Sequence, residues 1–117
     1  LELPAGLIGD EADFEGEDPL VAAGQELVEE TGYRADVLED LGTFWSSPGM
    51  VSESFTLVRA SQLAKVGQGG GVGGENITVH RVALSDIAAF TAAKRADGCG
   101  IDVRVLLLLG QGILAGE

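Results

Sequence analysis

The apolar and polar positions of this chain follow two periods, and the clearest is helical. From Asp18 to Gly32 the sequence reads Asp-Pro-Leu-Val-Ala-Ala-Gly-Gln-Glu-Leu-Val-Glu-Glu-Thr-Gly. At about 100° per residue, Leu20, Ala23, Gly24, Leu27 and Thr31 share one face. Asp18 is a good N-cap, Pro19 suits the first helical position, and Gly32 is a natural stop. A helix is therefore predicted between Asp18 and Gly32.

After it the period shortens. Residues 35–46 are mixed but end in Leu41-Gly42-Thr43-Phe44-Trp45, which predicts a strand. Ser46-Ser47-Pro48-Gly49-Met50 is a turn signal. Residues 53–60 alternate, with Phe55, Leu57 and Arg59 on one side, and predict the next strand. Residues 68–74 are nearly all glycine and predict a flexible loop. Gly69, Gly71 and Gly74 formally match G-x-G-x-x-G, but that motif needs a helix next. Here residues 76–84 predict a strand, with Thr78, His80 and Val82 on one face. Ser85 is a candidate N-cap for a helix over 85–97, in which Ile87, Ala88, Phe90 and Thr91 have helical spacing. A short terminal helix is expected over 101–109, then a tail over 110–117. At the front, Leu1-Glu2-Leu3-Pro4 alternates and stops at proline, as a short strand would, and residues 9–16 are an acidic loop.

Composition narrows the function. The chain has 117 residues, enough for one domain, and 45% apolar content excludes a disordered chain. The net charge of −12 argues against a nucleic-acid backbone or an anionic membrane as partner. It also means that a phosphate substrate needs metal ions in order to approach. The single cysteine, Cys99, excludes an internal disulfide and fits a reducing cytoplasm. Leu106–Leu109 is too short to span a bilayer; these leucines must be buried or form a patch awaiting a partner.

Charge also singles out the first helix. Glu26, Glu29 and Glu30 fall together on the flank of its apolar face, at i, i+3 and i+4. Like charges at this spacing repel by roughly a few tenths of a kcal/mol. Glu29 and Glu30 also sit in the last turn, where the helix dipole favours cations. No Lys or Arg lies three or four residues from Glu26 or Glu29. Two readings stay open on the residues alone: a solvated acidic face, or oxygen ligands for a hard cation, Mg²⁺ or Mn²⁺.

The same stretch resembles the Nudix box, G-x5-E-x7-R-E-U-x-E-E-x-G-U, with U a bulky aliphatic residue. Glu17 is followed by seven residues and then by Gln25-Glu26-Leu27-Val28-Glu29-Glu30-Thr31-Gly32-Tyr33. Gln25 stands where the family has Arg, Tyr33 replaces the final aliphatic residue, and Gly6 or Gly9 must serve as the opening glycine. Leu3-Pro4-Ala5-Gly6 is similar to the entry to the box in ADP-ribose pyrophosphatases. Ser47-Pro48-Gly49-Met50 with Glu53 is similar to their downstream motif.

The resemblance carries several expectations. The fold is α/β: an α/β/α sandwich with a mixed sheet, the box helix on one side and the 85–97 helix on the other. Nudix domains place several strands before the box, so residues 1–117 are expected to be a single domain whose N-terminal strands are missing. Glu26, Glu29, Glu30 and the Ala5 carbonyl are implied as metal ligands. Ser47, Pro48, Gly49 and Met50 are implied as substrate contacts, and Glu53 or Glu75 as the base. Arg59 and Arg81 are candidate phosphate contacts or plain surface arginines. The implied activity is Mg²⁺- or Mn²⁺-dependent hydrolysis of the pyrophosphate in a nucleoside diphosphate derivative. ADP-ribose, giving AMP and ribose 5-phosphate, is the favoured substrate, in a cytoplasmic protein for which a homodimer is a natural state. The alternatives are a catalytically weak nucleotide-binding module, and a Nudix hydrolase of a nucleoside triphosphate or coenzyme A.

Overall fold

A computed structural model describes residues 1–6 and 18–116. The chain divides into two compact units, one of Pro4–Val79 and one of Leu1–Leu3 with the residues from His80 onward.

In the first unit, helix α1 spans Pro19–Thr31. The Leu20 amide donates to Asp18 Oδ1 (2.9 Å), so the expected N-cap is in place. Gly32 ends the helix in the left-handed region, φ +78°, with its amide donating to Val28 O at 2.9 Å. Ala22 is buried and the predicted apolar face is half-buried, whereas Val21, Gln25, Val28 and Glu29 are exposed. Gly24 lies over Leu38; a Cβ there would sit 3.2 Å from its Cδ1. The helix therefore rests on the sheet by a small residue.

Strand β1 spans Tyr33–Trp45 and β2 spans Ser54–Lys65. Both are longer than their sequence patterns predict. β1 begins directly after the helix stop, because Tyr33, Arg34 and Ala35 gain the ladder partners Lys65, Ala64 and Leu63 on β2 whatever their own propensity. The two are antiparallel, from Tyr33↔Lys65 to Trp45↔Ser54. Between the Asp40↔Val58 and Thr43↔Thr56 pairs, Leu41 and Gly42 on β1 oppose the single residue Leu57 on β2. This bulge is closed by the Gly42 amide on Asp40 Oδ1 at 2.8 Å. Phe44 and Phe55 face each other across the ladder with ring centroids 5.9 Å apart.

The described sheet is this antiparallel pair alone, where a mixed sheet is expected. Residues 76–83 do not form the expected strand, and His80 is therefore not mid-strand. Alternation there has no described neighbouring strand to hydrogen-bond with. Leu1–Pro4 is likewise not a strand, although Leu1 pairs locally, its nitrogen donating to Gly100 O (2.6 Å) and its carbonyl accepting from Asp102 N (2.9 Å).

The second unit carries helix α2, Ile87–Ala96, and helix α3, Leu106–Ala115, packed on each other. Each is entered through a 3-10 turn, Leu84–Asp86 and Val103–Val105. Ser85 lies inside the first of these turns and makes no side-chain cap. Asp102 caps the second, accepting from the Arg104 amide at 3.1 Å and from Arg104 Nε at 2.9 Å. The expected tail is helix as far as Ala115, since its apolar residues extend the four-leucine run. Val105 is buried, while Leu106, Leu107, Ile113 and Leu114 are exposed. No described helix is long and apolar enough to cross a membrane.

Candidate functional site

The acidic end of α1 is built by chain from both sides. Glu26, Glu29 and Glu30 lie in its C-terminal half; Glu29 is exposed, Glu26 and Glu30 are half-buried. The upstream segment explains the difference. The Ala5 amide donates to Glu30 Oε2 at 3.0 Å. Gly6 lies so close to Glu26 that a Cβ there would fall on the glutamate side chain. Gly6, one of the two candidate opening glycines, is thus required for close approach. Gly9 and Glu17, and the acidic loop over 9–16, lie outside the described residues.

The downstream side is the glycine run. The Gly70 amide donates to Glu30 O (2.8 Å) and the Gly71 amide to Glu29 O (2.9 Å). The Val66 and Gly67 amides both donate to Gly32 O, at 2.8 and 3.1 Å. Residues 68–74 form the expected loop, in which Gly70 and Gly71 are hydrogen-bonded to the helix end and 72–74 are exposed. The signal was available, because the last carbonyls of any helix need donors, and a glycine run offers amides without side chains in the way. Glu75 follows at the foot of this loop, its Oε1 accepting from the Val72 amide at 3.0 Å.

The other candidates lie elsewhere. Ser47, Pro48, Gly49 and Met50 form the turn joining β1 to β2, with the Met50 and Val51 amides donating to Ser47 O, each at 3.1 Å. Glu53 stands beside them, its carbonyl accepting from Ser46 N at 3.1 Å. This turn closes the Trp45↔Ser54 end of the hairpin, whereas α1 ends beside the Tyr33↔Lys65 end. At about 3.3 Å per residue the two ends are on the order of 40 Å apart. The structure therefore brings Ala5, Glu26, Glu30 and the Glu75 loop to one end of this unit and places residues 47–53 at the other.

Arg59 is engaged by its cross-strand neighbour Glu39, with Nη2 on Oε2 at 2.9 Å and Nε on Oε1 at 3.3 Å. These hydrogen bonds and the adjacent charge raise the Arg59 pKa above its ordinary value. Arg81 and His80 are exposed, and the His80 ring lies 5.2 Å from that of Phe90. Cys99 is half-buried.

Among the described residues, no three His, Cys, Asp or Glu side chains are gathered so as to hold a metal ion by themselves. Two carboxylates, Glu26 and Glu30, do meet the same Ala5–Gly6 segment. The side-chain ligands they offer are carboxylate oxygens. That set fits Mg²⁺, which proteins commonly hold by one or two carboxylates, with waters and substrate phosphates completing the octahedron.

No protein-family model matches the chain. It is 32% identical over 111 residues to the GDP-mannose pyrophosphatase of Cronobacter sakazakii (strain ATCC BAA-894), a match covering 93% of this chain and 53% of that protein. Over 65 residues it is 43% identical to the methanol dehydrogenase activator of Bacillus methanolicus, covering 56% of this chain and 32% of that protein. Over 64 residues it is 38% identical to the ADP-ribose pyrophosphatase of Bacillus subtilis (strain 168), covering 55% of this chain and 32% of that protein. The chain thus spans between about a third and about half of the length of the curated relatives it matches.

Proposed function

We propose that this chain carries the metal-binding helix of a Nudix hydrolase, and that the protein cleaves the pyrophosphate of a nucleoside diphosphate linked to a sugar. The observation that carries the reading is the seating of Ala5–Gly6 on Glu30 and Glu26. It puts a backbone segment and two carboxylates of the box-like sequence around one spot. Similarity to proteins named for GDP-mannose and ADP-ribose pyrophosphatase activity supports the substrate class. Both named substrates join a nucleoside to a sugar through two phosphates. Within that class the Ser47–Glu53 motif favours ADP-ribose, with AMP and ribose 5-phosphate as products.

In this reading Glu26 and Glu30 hold the cation, with the Ala5 carbonyl and, through water, Glu29. A bound Mg²⁺ or Mn²⁺ would supply charge neutralisation on the phosphate oxygens and a more acidic water. The proton of the attacking water goes to a carboxylate. Glu75 suits this better than Glu53, since its loop is fastened to the acidic end of α1. Ser47, Pro48, Gly49 and Met50 are proposed substrate contacts. Being remote from that end, they would serve a site completed by a second copy, so the protein works as a homodimer.

The rival reading is a nucleotide-binding module with little turnover, and Gln25 in the place of the family Arg favours it. Product release from ADP-ribose and GDP-mannose, with Mg²⁺ and with EDTA, separates the two. Metal-dependent formation of AMP or GMP is the expected result. Stoichiometric nucleotide-sugar binding without turnover would establish the rival.

A further inference from the structure

The carbonyl end of α1 is closed by the chain that follows β2. We propose that Gly69–Gly71 is a positioning element, holding Glu29, Glu30 and Glu75 in one fixed frame for cation binding. This deepens the hydrolase reading and rests on it.

A helix leaves its last four carbonyls without partners. In α1 the carbonyl of Val28 is taken by Gly32 N, that of Glu29 by Gly71 N and that of Glu30 by Gly70 N. The bonds from the glycine turn therefore fall on the two residues of the last turn whose side chains are proposed ligands. Glu30 is held twice, by its carbonyl from Gly70 and by its carboxylate from Ala5, at 2.8 and 3.0 Å. A rotation of the last turn that released one contact would strain the other.

The fit depends on an absent side chain. Gly69 has φ +71°, and a Cβ there would lie 2.5 Å from Thr31 C and 2.7 Å from Glu30 O. These are backbone atoms of the helix end and cannot swing aside. Gly73, four residues on, has φ +62° and nothing within 4 Å of its added Cβ. The two positions share the backbone strain of a left-handed residue and differ in contact with α1. One residue past Gly71, Val72 donates to Glu75 Oε1 at 3.0 Å and accepts from Glu75 N at 3.2 Å. The base proposed for the reaction is thus tied to the segment that grips the ligand-bearing turn.

The test compares Gly69→Ala with Gly73→Ala in the full chain. Mn²⁺ binding is measured by isothermal titration, steady-state kinetics with ADP-ribose and GDP-mannose, and the folded fraction by a urea melt in EDTA. Gly69→Ala should weaken Mn²⁺ binding at least tenfold and lower kcat more than it raises KM, at concentrations where the variant is folded. Gly73→Ala should stay within twofold of wild type in both. Equal Mn²⁺ affinity in folded Gly69→Ala and wild type overturns the positioning role and leaves the hydrolase reading intact. Absence of Mn²⁺ binding by the wild type overturns both. If Gly69→Ala does not fold, amide exchange of the wild type decides. Mg²⁺ should then slow exchange at Gly70 and Gly71 and leave Gly73 and Gly74 unchanged, and unchanged Gly70 and Gly71 overturns the proposal.

Discussion

Replacing Glu30 by Gln separates a metal ligand from a structural carboxylate, because the two roles move different observables. Gln keeps the size of the side chain and an oxygen that can still accept the Ala5 amide, now 3.0 Å from Glu30 Oε2. What is lost is the charge on the acceptor. A hydrogen bond to a charged group is worth about 1.5–3 kcal/mol against about 1 for a neutral one, so the loss at this exposed contact is about 1 kcal/mol. Two terms oppose it. Removing one charge of the Glu26/Glu30 pair relieves roughly 0.2–0.5 kcal/mol of repulsion. Removing an anion from the last turn relieves about 0.3–1 kcal/mol against the helix dipole. The metal-free stability of Glu30→Gln should therefore stay within about 1 kcal/mol of wild type.

Catalysis should respond on another scale. Metal stabilisation of a phosphoryl transition state amounts to several kcal/mol, and about 1.4 kcal/mol is tenfold in rate, so kcat should fall by about 10² to 10⁴. The assay is a urea melt in EDTA beside kcat for nucleotide-sugar hydrolysis across a Mg²⁺ titration. A kcat per folded molecule that changes less than tenfold would exclude Glu30 as a metal ligand. A simultaneous drop in stability of more than about 2 kcal/mol would identify Glu30 as a structural carboxylate instead.

Three further outcomes follow from the same geometry. Gly32→Ala places a Cβ on Gly67 O at a left-handed residue, φ +78°, and should cost about 2 kcal/mol or more in a urea melt. Asp102→Asn tests the cap of the turn into α3: hydrogen bonding by Arg104 holds the Asp102 carboxyl below the usual carboxylate range. A depressed native pKa stabilises above the unfolded value of about 4 and is lost as pH falls through the native one. The stability difference between wild type and Asp102→Asn should accordingly be constant above about pH 5 and shrink as pH falls below the unfolded value of about 4 in denaturant melts. Finally, mixing inactive Glu30→Gln with an inactive Pro48/Met50 double-alanine variant should restore about a quarter of wild-type activity if each site draws on two copies. Absence of recovery would overturn the shared two-copy site.

The first helix was legible because every local rule agreed there. Asp18, Pro19, the apolar spacing and Gly32 all act within one helix length, and α1 runs between them as expected. The turn at Ser46–Met50 was legible for the same reason. The strands were located but underestimated, since residues 33–40 and 61–65 owe their extended form to each other across the ladder. Pairing partners far apart in sequence leave no local trace. The converse error occurred at residues 76–84, where alternation without a described partner strand did not make a strand. In the second unit, the terminal helix outran its predicted end. Gly110 and Gly112 lower helix propensity, yet the flanking apolar residues continue the helix to Ala115.

The acidic cluster shows how sequence and fold divide the argument. Sequence placed Glu26, Glu29 and Glu30 on the flank of a helix and left their chemistry open. The fold then treats them unequally, covering Glu26 and Glu30 with Ala5–Gly6 and leaving Glu29 exposed. The Ala5 amide gives the Glu30 carboxylate a charge-assisted hydrogen bond at 3.0 Å, which offsets part of the repulsion within the cluster. The glycine turn pushes in the same direction, by spending amides on the carbonyls of Glu29 and Glu30 rather than leaving that end to water. The Ala5 contact holds the Glu30 carboxylate, and the glycine contacts hold the backbone that carries Glu29 and Glu30. Such confinement is sustained if a cation is bound in the working protein, and removing that cation should loosen the Ala5 contact and the glycine turn together.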